Sequence, residues 1–316
     1  MRKFLLKFYQ LLSTSTVGRY FLVFIKKIQI DELVRRLTYG LEFILPTHSM
    51  RMSEKFFLNN KAEIKYITDN ISDDLSCLVY QGLIKFRCSS SRKNLLKHMS
   101  PPKQQYFDNT IFQEPLIDEH FVDCGAFTGD TLQSFISCYG EKHTFYLFEP
   151  NPKSFEKLDK FIKNKPLQNA CPFQLGTGSK KSEVSFSVSS LKSEVSFSVS
   201  LLEAESSKVT DDKDAQYTIN IDSLDNVLRE KTITFIKMDI EGAEYDSLIG
   251  AQEIILKNRP KLAICIYHSD EDMINIPMWM IKNLKNYNFY IRHYSDTWIE
   301  TVFYAIPNDN DVCKRH

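Results

Sequence analysis

The chain has 316 residues and 43% of them are apolar, so it can bury the core of one large domain plus an appendage. Lysine plus arginine and aspartate plus glutamate both number 40, which excludes a bulk electrostatic attraction to nucleic acid. The 7 cysteines are odd in number and form no C-x-x-C pair. This argues against a disulfide framework or a zinc site, and it predicts reduced thiols in the cytoplasm.

The beginning of the chain is basic. Residues 1–30 contain no acidic residue, and their lysines and arginines are Arg2, Lys3, Lys7, Arg19, Lys26 and Lys27. No apolar stretch approaches the ~18–20 residues of a membrane span. We expect this segment to form a helix packed on its own domain, and peripheral contact with a membrane surface is the alternative.

Residues 53–90 have a helical pattern. Apolar residues such as Ile64 and Ile67 recur at intervals of three or four, which is one face of a helix. The Pro-Pro pair in "SPPKQQYFDN" then breaks the regular pattern. We therefore predict an N-terminal helical region over 1–109 and a main domain over 110–316.

The main domain alternates between strands and helices. The predicted strands are "HFVDCG", "TFYLFEP", "CPFQLGTG", "TITFIKMDI", "PKLAICIYH", "NFYIRHY" and "ETVFYAI". The predicted helices are "TLQSFISCYG", "NPKSFEKLDKFIKN", "EYDSLIGAQEIILKN" and "PMWMIKNLKNY". Strands joined through helices run parallel with right-handed crossovers. The last two strands have no helix between them, so we expect an antiparallel hairpin on the sheet edge.

A tandem repeat interrupts this pattern. "KSEVSFSVSSL" (Lys181–Leu191) is followed directly by "KSEVSFSVSLL" (Lys192–Leu202), and the two copies differ at one position. Each copy alternates apolar and polar residues, which is typical of a strand. We interpret the repeat as a surface hairpin, or as one native strand followed by an inserted loop.

Acidic residues and glycines follow the first predicted strand. Asp123 ends the strand, Gly125 allows a tight turn, Gly129 lets a ligand approach the backbone, and Thr128 is expected to cap the next helix. The spacing is not the G-x-G-x-x-G of a dinucleotide site, and Asp123 and Asp130 would repel a pyrophosphate. A cationic ligand fits this loop better.

Two further strand ends also carry acid. Glu149 ends the second strand, where it can accept hydrogen bonds from ribose hydroxyls or support the helix that begins after Asn151. Asp239 and Glu241 follow the fourth strand and are expected to face the site, whereas Glu244 is expected to serve the start of the next helix. Because ligands bind beyond the carboxyl ends of parallel strands, these acids are predicted to gather at one site.

Five motifs in this order resemble the FkbM-type family of S-adenosylmethionine-dependent methyltransferases, from about Tyr106 to Pro307. They are "FVDCGAFTGDT", "FEPNP", "IKMDIEGAE", "AICIYH" and the final "YIRHY" with "ETVFYA". The resemblance implies an α/β fold with a Rossmann-like seven-stranded sheet whose last strand is antiparallel. It also implies S-adenosylmethionine as cofactor and methyl transfer to a hydroxyl oxygen.

The resemblance and the strand-end pattern together assign the site. Gly125 and its neighbours would hold the methionine part of the donor, and Glu149 the ribose, while the repeat leaves the adenine contacts unassigned. The expected cofactor-binding residues are Asp123, Gly125, Ala126, Phe127, Thr128, Gly129, Glu149, Pro150, Asn151, Asp239 and Glu241. Carboxylates would stabilise the positively charged sulfonium of the donor.

A hydroxyl needs a base, because it is a weak nucleophile until its proton is removed. His268, after the fifth strand, is the first candidate since its ordinary pKa of ~6.5 suits the task, and Asp239 is the second. A purely structural His268 is the alternative, and His293 is expected to be structural or at the substrate rim. No metal site is assigned, although a divalent metal on Asp239, Glu241, His268, Asp270 and Asp272 is a less favoured alternative.

The sequence thus predicts an enzyme that methylates a hydroxyl on a glycan, a lipid-linked sugar or a secondary metabolite in the cytoplasm. Its expected partners are a small-molecule or glycan acceptor and no nucleic acid. One alternative is an NAD-dependent oxidoreductase or epimerase on a similar sheet, which the absent G-x-G-x-x-G disfavours. The other is a non-catalytic module that only binds the donor.

Overall fold

The structure, a computed structural model, describes residues 48–89, 93–112, 116–165, 167, 169–187 and 216–308. The basic segment 1–30 and the second copy of the repeat lie outside these residues. Predictions about membrane contact and about the whole repeat therefore stay predictions. Within the described part of the chain, no helix has both the length and the apolar character that crossing a membrane requires.

Helices precede the sheet, as the pattern over 53–90 predicts. They are α1 (His48–Asn59), α2 (Lys61–Asn70), α3 (Asp74–Ser89) and α4 (Lys93–Lys97), followed by a 3-10 turn (Pro102–Gln104). The break between α2 and α3 has a local cause. The carboxylate of Asp73 accepts a hydrogen bond from the backbone N–H of Ser76 (2.7 Å), which caps the first turn of α3.

The remaining elements form the sheet and its covering helices. They are β1 (His120–Cys124), α5 (Asp130–Tyr139), β2 (Thr144–Phe148), α6 (Pro152–Asn164), β3 (Ala170–Phe173), β4 (Gly176–Thr177), β5 (Ser182–Ser187), β6 (Gln216–Asp222), α7 (Leu224–Val227), β7 (Phe235–Met238), α8 (Glu244–Ile249), α9 (Gln252–Asn258), β8 (Lys261–Cys265), α10 (Asp272–Asn283), β9 (Tyr287–His293) and β10 (Thr301–Pro307). The single long helix predicted after β7 is two helices, α8 and α9. Helix α10 begins at Asp272, whereas the sequence pattern predicted its start at Pro277.

The main sheet has seven strands in the order β3-β2-β1-β7-β8-β10-β9, and this confirms the predicted α/β class. The pairings that link β3, β2, β1, β7 and β8 are parallel. Strand β10 pairs antiparallel with both β8 and β9. The predicted antiparallel hairpin at the sheet edge is confirmed, with β10 next to β8 and β9 outermost.

A second, three-stranded sheet has the order β4-β6-β5. The predicted strand "CPFQLGTG" is divided between β3 in the main sheet and β4 in this one, and β6 was not predicted. Within the first copy of the repeat, Ser182–Ser187 form β5, which pairs antiparallel with β6. This segment of the copy is therefore a strand, as its pattern predicts, and the repeat beyond Ser187 lies outside the described residues.

The N-terminal helices share a core with the sheet. Phe57, Ile67 and Val79 are buried in the same cluster as Ile236 of β7 and Ile291 of β9. Burial of this much apolar surface is the main favourable term in holding α1 to α3 on the sheet. The division of the chain at residue 109 stays a prediction.

The same helices are also joined to strand β9 by polar contacts. The backbone N–H of Ser72 donates to the carbonyl of Phe289 (2.8 Å), and Arg292 forms an ion pair with Asp73 (2.6 Å). Because these partners are far apart in sequence, the contacts set how the helices sit against this edge of the sheet. The helices thereby bring α3 close to the site described next.

Candidate active site

The loop after β1 meets the loop after β7. Gly125 has a φ of +83°, and a Cβ there would lie only 2.0 Å from the carbonyl oxygen of Asp239. Gly129 has a φ of +93°, and its Cβ would contact the ring of Phe161 at 3.0 Å. Only glycine fits these two positions without strain or displacement. The predicted glycines thus let the backbone of the loop pass closely over its neighbours.

Thr128 does not cap the following helix. Helix α5 begins after Gly129, and no side chain caps its first turn. The expectation is wrong because the left-handed Gly129 occupies the position before the helix, which leaves Thr128 one residue too early to act as cap. Asn151, by contrast, caps α6 as predicted and accepts hydrogen bonds from the N–H groups of Lys153 (2.9 Å) and Ser154 (3.2 Å).

Glu149 joins two of these loops. Its buried carboxylate accepts hydrogen bonds from the backbone N–H of Phe127 (2.9 Å) and of Asn151 (2.7 Å). Burial raises the pKa of Glu149 to about 7, although the two hydrogen bonds favour the charged form. Each carboxylate oxygen has a second lone pair, so Glu149 can still accept hydrogen bonds from a ligand.

A partly open cavity lies beside Gly125. Its lining is apolar and comes from both sheets. The lining residues are Gly125, Phe148, Pro150, Leu175, Gly176, Thr177, Ile219, Ile221, Ile240 and Ala243. The lining residues from the β3–β4 segment and from β6 were not predicted from the sequence. Strand β6 follows the repeat and carries no recognisable motif. Apolar walls suit a flat heterocycle better than a charged group.

Asp123 is buried beside a lysine. Its carboxylate is fully buried and forms an ion pair with Nζ of Lys237 (2.9 Å). Lys237 also donates hydrogen bonds to the carbonyls of Gly125 (3.0 Å) and Cys124 (3.3 Å). Burial opposes the charge on Lys237, but the attraction of Asp123 and Asp239 outweighs it and raises the lysine pKa. Asp123 therefore supports the loop through Lys237, and its direct contact with a cofactor stays a prediction.

Asp239 lies at the centre of the site. The phenol groups of Tyr106 (2.6 Å) and Tyr267 (2.9 Å) donate to its two carboxylate oxygens. Burial would raise the pKa of Asp239, but the charges of Lys237 and His268 and the two phenol hydrogen bonds lower it. Asp239 is therefore ionised and held in one orientation.

Three carboxylates surround the ring of His268. Its Nδ1 lies 3.2 Å from Glu244, and its Nε2 lies 3.4 Å from Glu241 and 3.6 Å from Asp239. Burial disfavours the charged ring, but these neighbours raise the pKa of His268 to about 10. The expectation that His268 has an ordinary pKa is thus wrong, because at neutral pH the ring carries its proton. Its role in catalysis stays a prediction.

Glu244 does more than support a helix terminus. It is the first residue of α8, and its carboxylate is fully buried. The carboxylate accepts hydrogen bonds from the backbone N–H of Ile240 (2.6 Å) and of Gly242 (3.0 Å). Glu244 thereby shapes the loop that carries Asp239 and Glu241 while it faces His268.

The other histidine and the two later aspartates lie outside this group. His293 is buried, its Nδ1 is 2.8 Å from Oγ1 of Thr301, and burial lowers its pKa to about 4, so it is structural. Asp270 faces Arg87 of α3 at 3.7 Å, and Asp272 accepts a hydrogen bond from Ser269 (2.7 Å). The wider metal-ligand set that included Asp270 and Asp272 is therefore not assembled.

Several residues of the candidate site have strained backbones. Tyr106 (φ 66°), Phe127 (φ 46°), Glu241 (φ 59°) and Glu300 (φ 63°) all have left-handed backbones, which side chains rarely adopt. Such conformations cost about 1–3 kcal/mol each and persist where surrounding contacts impose them. Tyr106 lies far in sequence from the strand-end acids, and Glu300 begins the motif "ETVFYA", where its strand pattern gave no sign of a role at the site.

Comparisons with known proteins agree with this geometry. The crystal structure of methyltransferase FkbM from Methylobacillus flagellatus KT is similar with a TM-score of 0.65 and 21% identity, over 79% of this chain and 60% of that chain. The chain thus spans about 60% of the length of that relative, which shares its fold. No curated protein matches the chain.

Two other solved structures are more distant. An rRNA methylase from Streptococcus thermophilus has a TM-score of 0.39 and 14% identity, over 63% of this chain and 93% of that one. Aeropyrum pernix fibrillarin, which contains natively bound S-adenosyl-L-methionine, has a TM-score of 0.35 and 10% identity, over 60% of this chain and 66% of that one. Both are too distant to support an argument about the site.

The family comparison is specific. The model of the methyltransferase FkbM domain matches residues 123–291, which is more than half of the chain. The matched segment begins at Asp123 and includes Glu149, Asp239 and His268. With the seven-stranded sheet and the glycine-lined crevice at its centre, this match establishes that the chain belongs to the FkbM methyltransferase family.

Proposed function

We propose that this methyltransferase uses S-adenosylmethionine to methylate a hydroxyl oxygen of a glycan, a lipid-linked sugar or a secondary metabolite. The observation that carries the proposal is the continuity of the crevice. Gly125 lines the apolar cavity and also touches the backbone of Asp239, so the donor cavity and the charged cluster adjoin. A donor bound along this crevice would present its reactive end to the cluster.

The residues present fit the donor. The turn formed by Gly125, Ala126, Phe127, Thr128 and Gly129 would hold the methionine part. Glu149 would accept hydrogen bonds from the ribose, because its carboxylate retains free lone pairs. The cavity, with Pro150 in its wall, would take the adenine. Asn151 would contribute by keeping α6 and Glu149 in place.

The donor, when bound, supplies an electrophilic methyl group on a positively charged sulfur. The chain supplies negative charge beside it, from Asp239 and from the half-exposed Glu241. Most of the rate would come from alignment of the acceptor oxygen, since in-line displacement depends on positioning. Asp239 is rigidly held by Tyr106 and Tyr267, so it can orient an acceptor hydroxyl without first rearranging.

The chemistry of the cluster supports a hydroxyl acceptor. Removing a hydroxyl proton needs a nearby acceptor group, and the ionised Asp239 is one. His268, protonated at neutral pH, would donate a hydrogen bond within the cluster. The ring of Trp298 is 38% exposed and lies 6.3 Å from that of Tyr267, and such an aromatic surface suits the apolar face of a sugar ring.

S-adenosylhomocysteine should raise the melting temperature of the protein, whereas NAD should not. The donor product fits the glycine turn, Glu149 and the apolar cavity, and binding to the native state stabilises it by mass action. Differential scanning fluorimetry with each ligand at equal concentration measures this. A shift with NAD alone would overturn the assignment, and S-adenosylhomocysteine binding without turnover on any hydroxyl acceptor would indicate a donor-binding module.

Replacing His268 by alanine should spare donor binding and slow methyl transfer by about a hundredfold or more. The ring contacts the three carboxylates of the cluster but does not line the donor cavity. Transfer of labelled methyl from S-adenosylmethionine to a glycan or lipid-linked-sugar extract measures turnover, and calorimetry measures binding. Glu271→Gln, an exposed neighbour outside the cluster, is the control. Unchanged turnover in the alanine variant would remove His268 from catalysis.

A further inference from the structure

We propose that Asp239, Glu244 and His268 form a binding site for one divalent cation of the Mn²⁺ type. The three residues come from the loop after β7, the start of α8 and the loop after β8. One ligand atom from each lies within 4.8 Å of the others. A cation with ligand bonds of about 2.1 Å places its ligand atoms about 3–4 Å apart, so small side-chain shifts would close this set around an ion.

Both ring nitrogens of His268 face carboxylates, but none of these contacts has hydrogen-bond geometry. They are buried and make no hydrogen bond, although carboxylate oxygens lie 3.2–3.6 Å away. Buried polar atoms are normally satisfied, so an unsatisfied imidazole aimed at carboxylates calls for an explanation. A metal ion accounts for it, because a bound cation would release the ring proton to solvent and leave a neutral imidazole nitrogen as ligand.

The charge around the ring also favours a cation. Asp239, Glu241 and Glu244 all face His268, and among the described residues their direct ion pairs are with this ring. Lys237 also attracts Asp239, but its direct ion pair is with Asp123, and Arg87 faces Asp270. A divalent ion would offset negative charge that one imidazole cannot balance.

The two carboxylate ligands are held in place from outside. Asp239 is oriented by the phenols of Tyr106 and Tyr267, and Glu244 by the backbone N–H groups of Ile240 and Gly242. Such outer contacts fix ligand orientation in known metal sites. A ligand set of two carboxylates and one imidazole favours Mn²⁺ over softer metal ions that prefer thiolate ligands. Glu241, being half-exposed, is left as a further ligand or a contact for the acceptor.

The catalytic role of the ion rests on the proposed function. Binding of the ion to these three residues does not depend on that function. A divalent cation there would hold the acceptor hydroxyl and lower its pKa, which eases loss of the proton. His268 and Asp239 would then serve as ligands that position the acceptor. The site would not be needed to bind the donor, because neither His268 nor Glu244 lines the cavity.

Mn²⁺ alone is the probe. The full chain, without a purification tag and dialysed against EDTA, is titrated with Mn²⁺ and followed by electron paramagnetic resonance. We expect one Mn²⁺ per chain, with affinity reduced more than about a hundredfold in both Glu244→Gln and His268→Gln. Glu271→Gln should bind as the wild type does. Binding of S-adenosylhomocysteine to the metal-free proteins reports that each variant is folded.

The possible results test the metal site and the proposed methyltransferase function separately. No saturable Mn²⁺ binding in the wild type, or equal binding in folded His268→Gln, would overturn the metal site. If Mn²⁺ binds at the site but S-adenosylhomocysteine does not bind with or without it, the proposed function fails and the metal site stands. If S-adenosylhomocysteine binds and Mn²⁺ does not, His268 balances the carboxylates as a cation and the metal site is wrong.

Discussion

Replacing Glu149 by alanine is expected to lower the affinity for S-adenosylhomocysteine by at least about a hundredfold. Hydrogen bonds to a charged carboxylate contribute about 1.5–3 kcal/mol each, and the ribose would lose two of them. The change also leaves the N–H groups of Phe127 and Asn151 without their acceptor, which loosens the turn that holds the methionine part. Isothermal titration calorimetry measures the affinity. Glu156→Ala, on the exposed face of α6, is the matched control and should bind normally.

The same carboxylate predicts a pH dependence. Its pKa is raised to about 7, so the ionised form that accepts ribose hydrogen bonds is lost as the pH falls through neutrality. Affinity for S-adenosylhomocysteine should therefore be about tenfold lower at pH 6 than at pH 8. In Glu149→Gln the dependence should disappear. Wild-type affinity in Glu149→Ala, or an equal pH profile in Glu149→Gln, would show that Glu149 is not a donor contact.

Replacing Lys237 by methionine is expected to lower the free energy of unfolding by about 3–5 kcal/mol. Methionine fills a similar volume but leaves the carboxylate of Asp123 buried without its partner. It also removes the donor that ties the carbonyls of Cys124 and Gly125 to β7. Urea unfolding followed by circular dichroism measures the loss, with the midpoint and slope both fitted.

Two further variants make this measurement specific. Asp123→Asn combined with Lys237→Met removes the buried charge and should recover a substantial part of the stability. Lys160→Met breaks the exposed pair with Glu156 and should leave the free energy of unfolding nearly unchanged. If Lys237→Met costs no more than Lys160→Met, the buried ion pair does not stabilise the loop after β1.

Much of the fold followed from local pattern. Alternating strands and helices require parallel pairing, and β1, β2, β7 and β8 lie side by side as expected. Asn151 and Pro152 start α6 because they supply a cap and a fixed φ. The place of β10 inside the sheet could not be derived from the residues, since an antiparallel strand pairs equally well at an edge or between two neighbours.

Part of the site had a signal that sequence reasoning left unused. Lys237 is a charged residue within an otherwise apolar strand, which already indicates a buried partner. Its pairing with Asp123 follows from the register, because these two residues are opposite each other in β1 and β7. Tyr106 had no such signal, since it reaches Asp239 from 133 residues away.

The sequence by itself determined that Asp123, Glu149 and Asp239 stand at one edge of the sheet, because parallel strands present their carboxyl ends together. It also determined the two glycines that let the loops approach, since no other residue fits those backbones. Only the tertiary structure decided what these groups do. Burial and distant partners neutralise Asp123, orient Asp239 and keep a proton on His268, because a side chain's charge depends on what surrounds it in space and not on its neighbours in sequence.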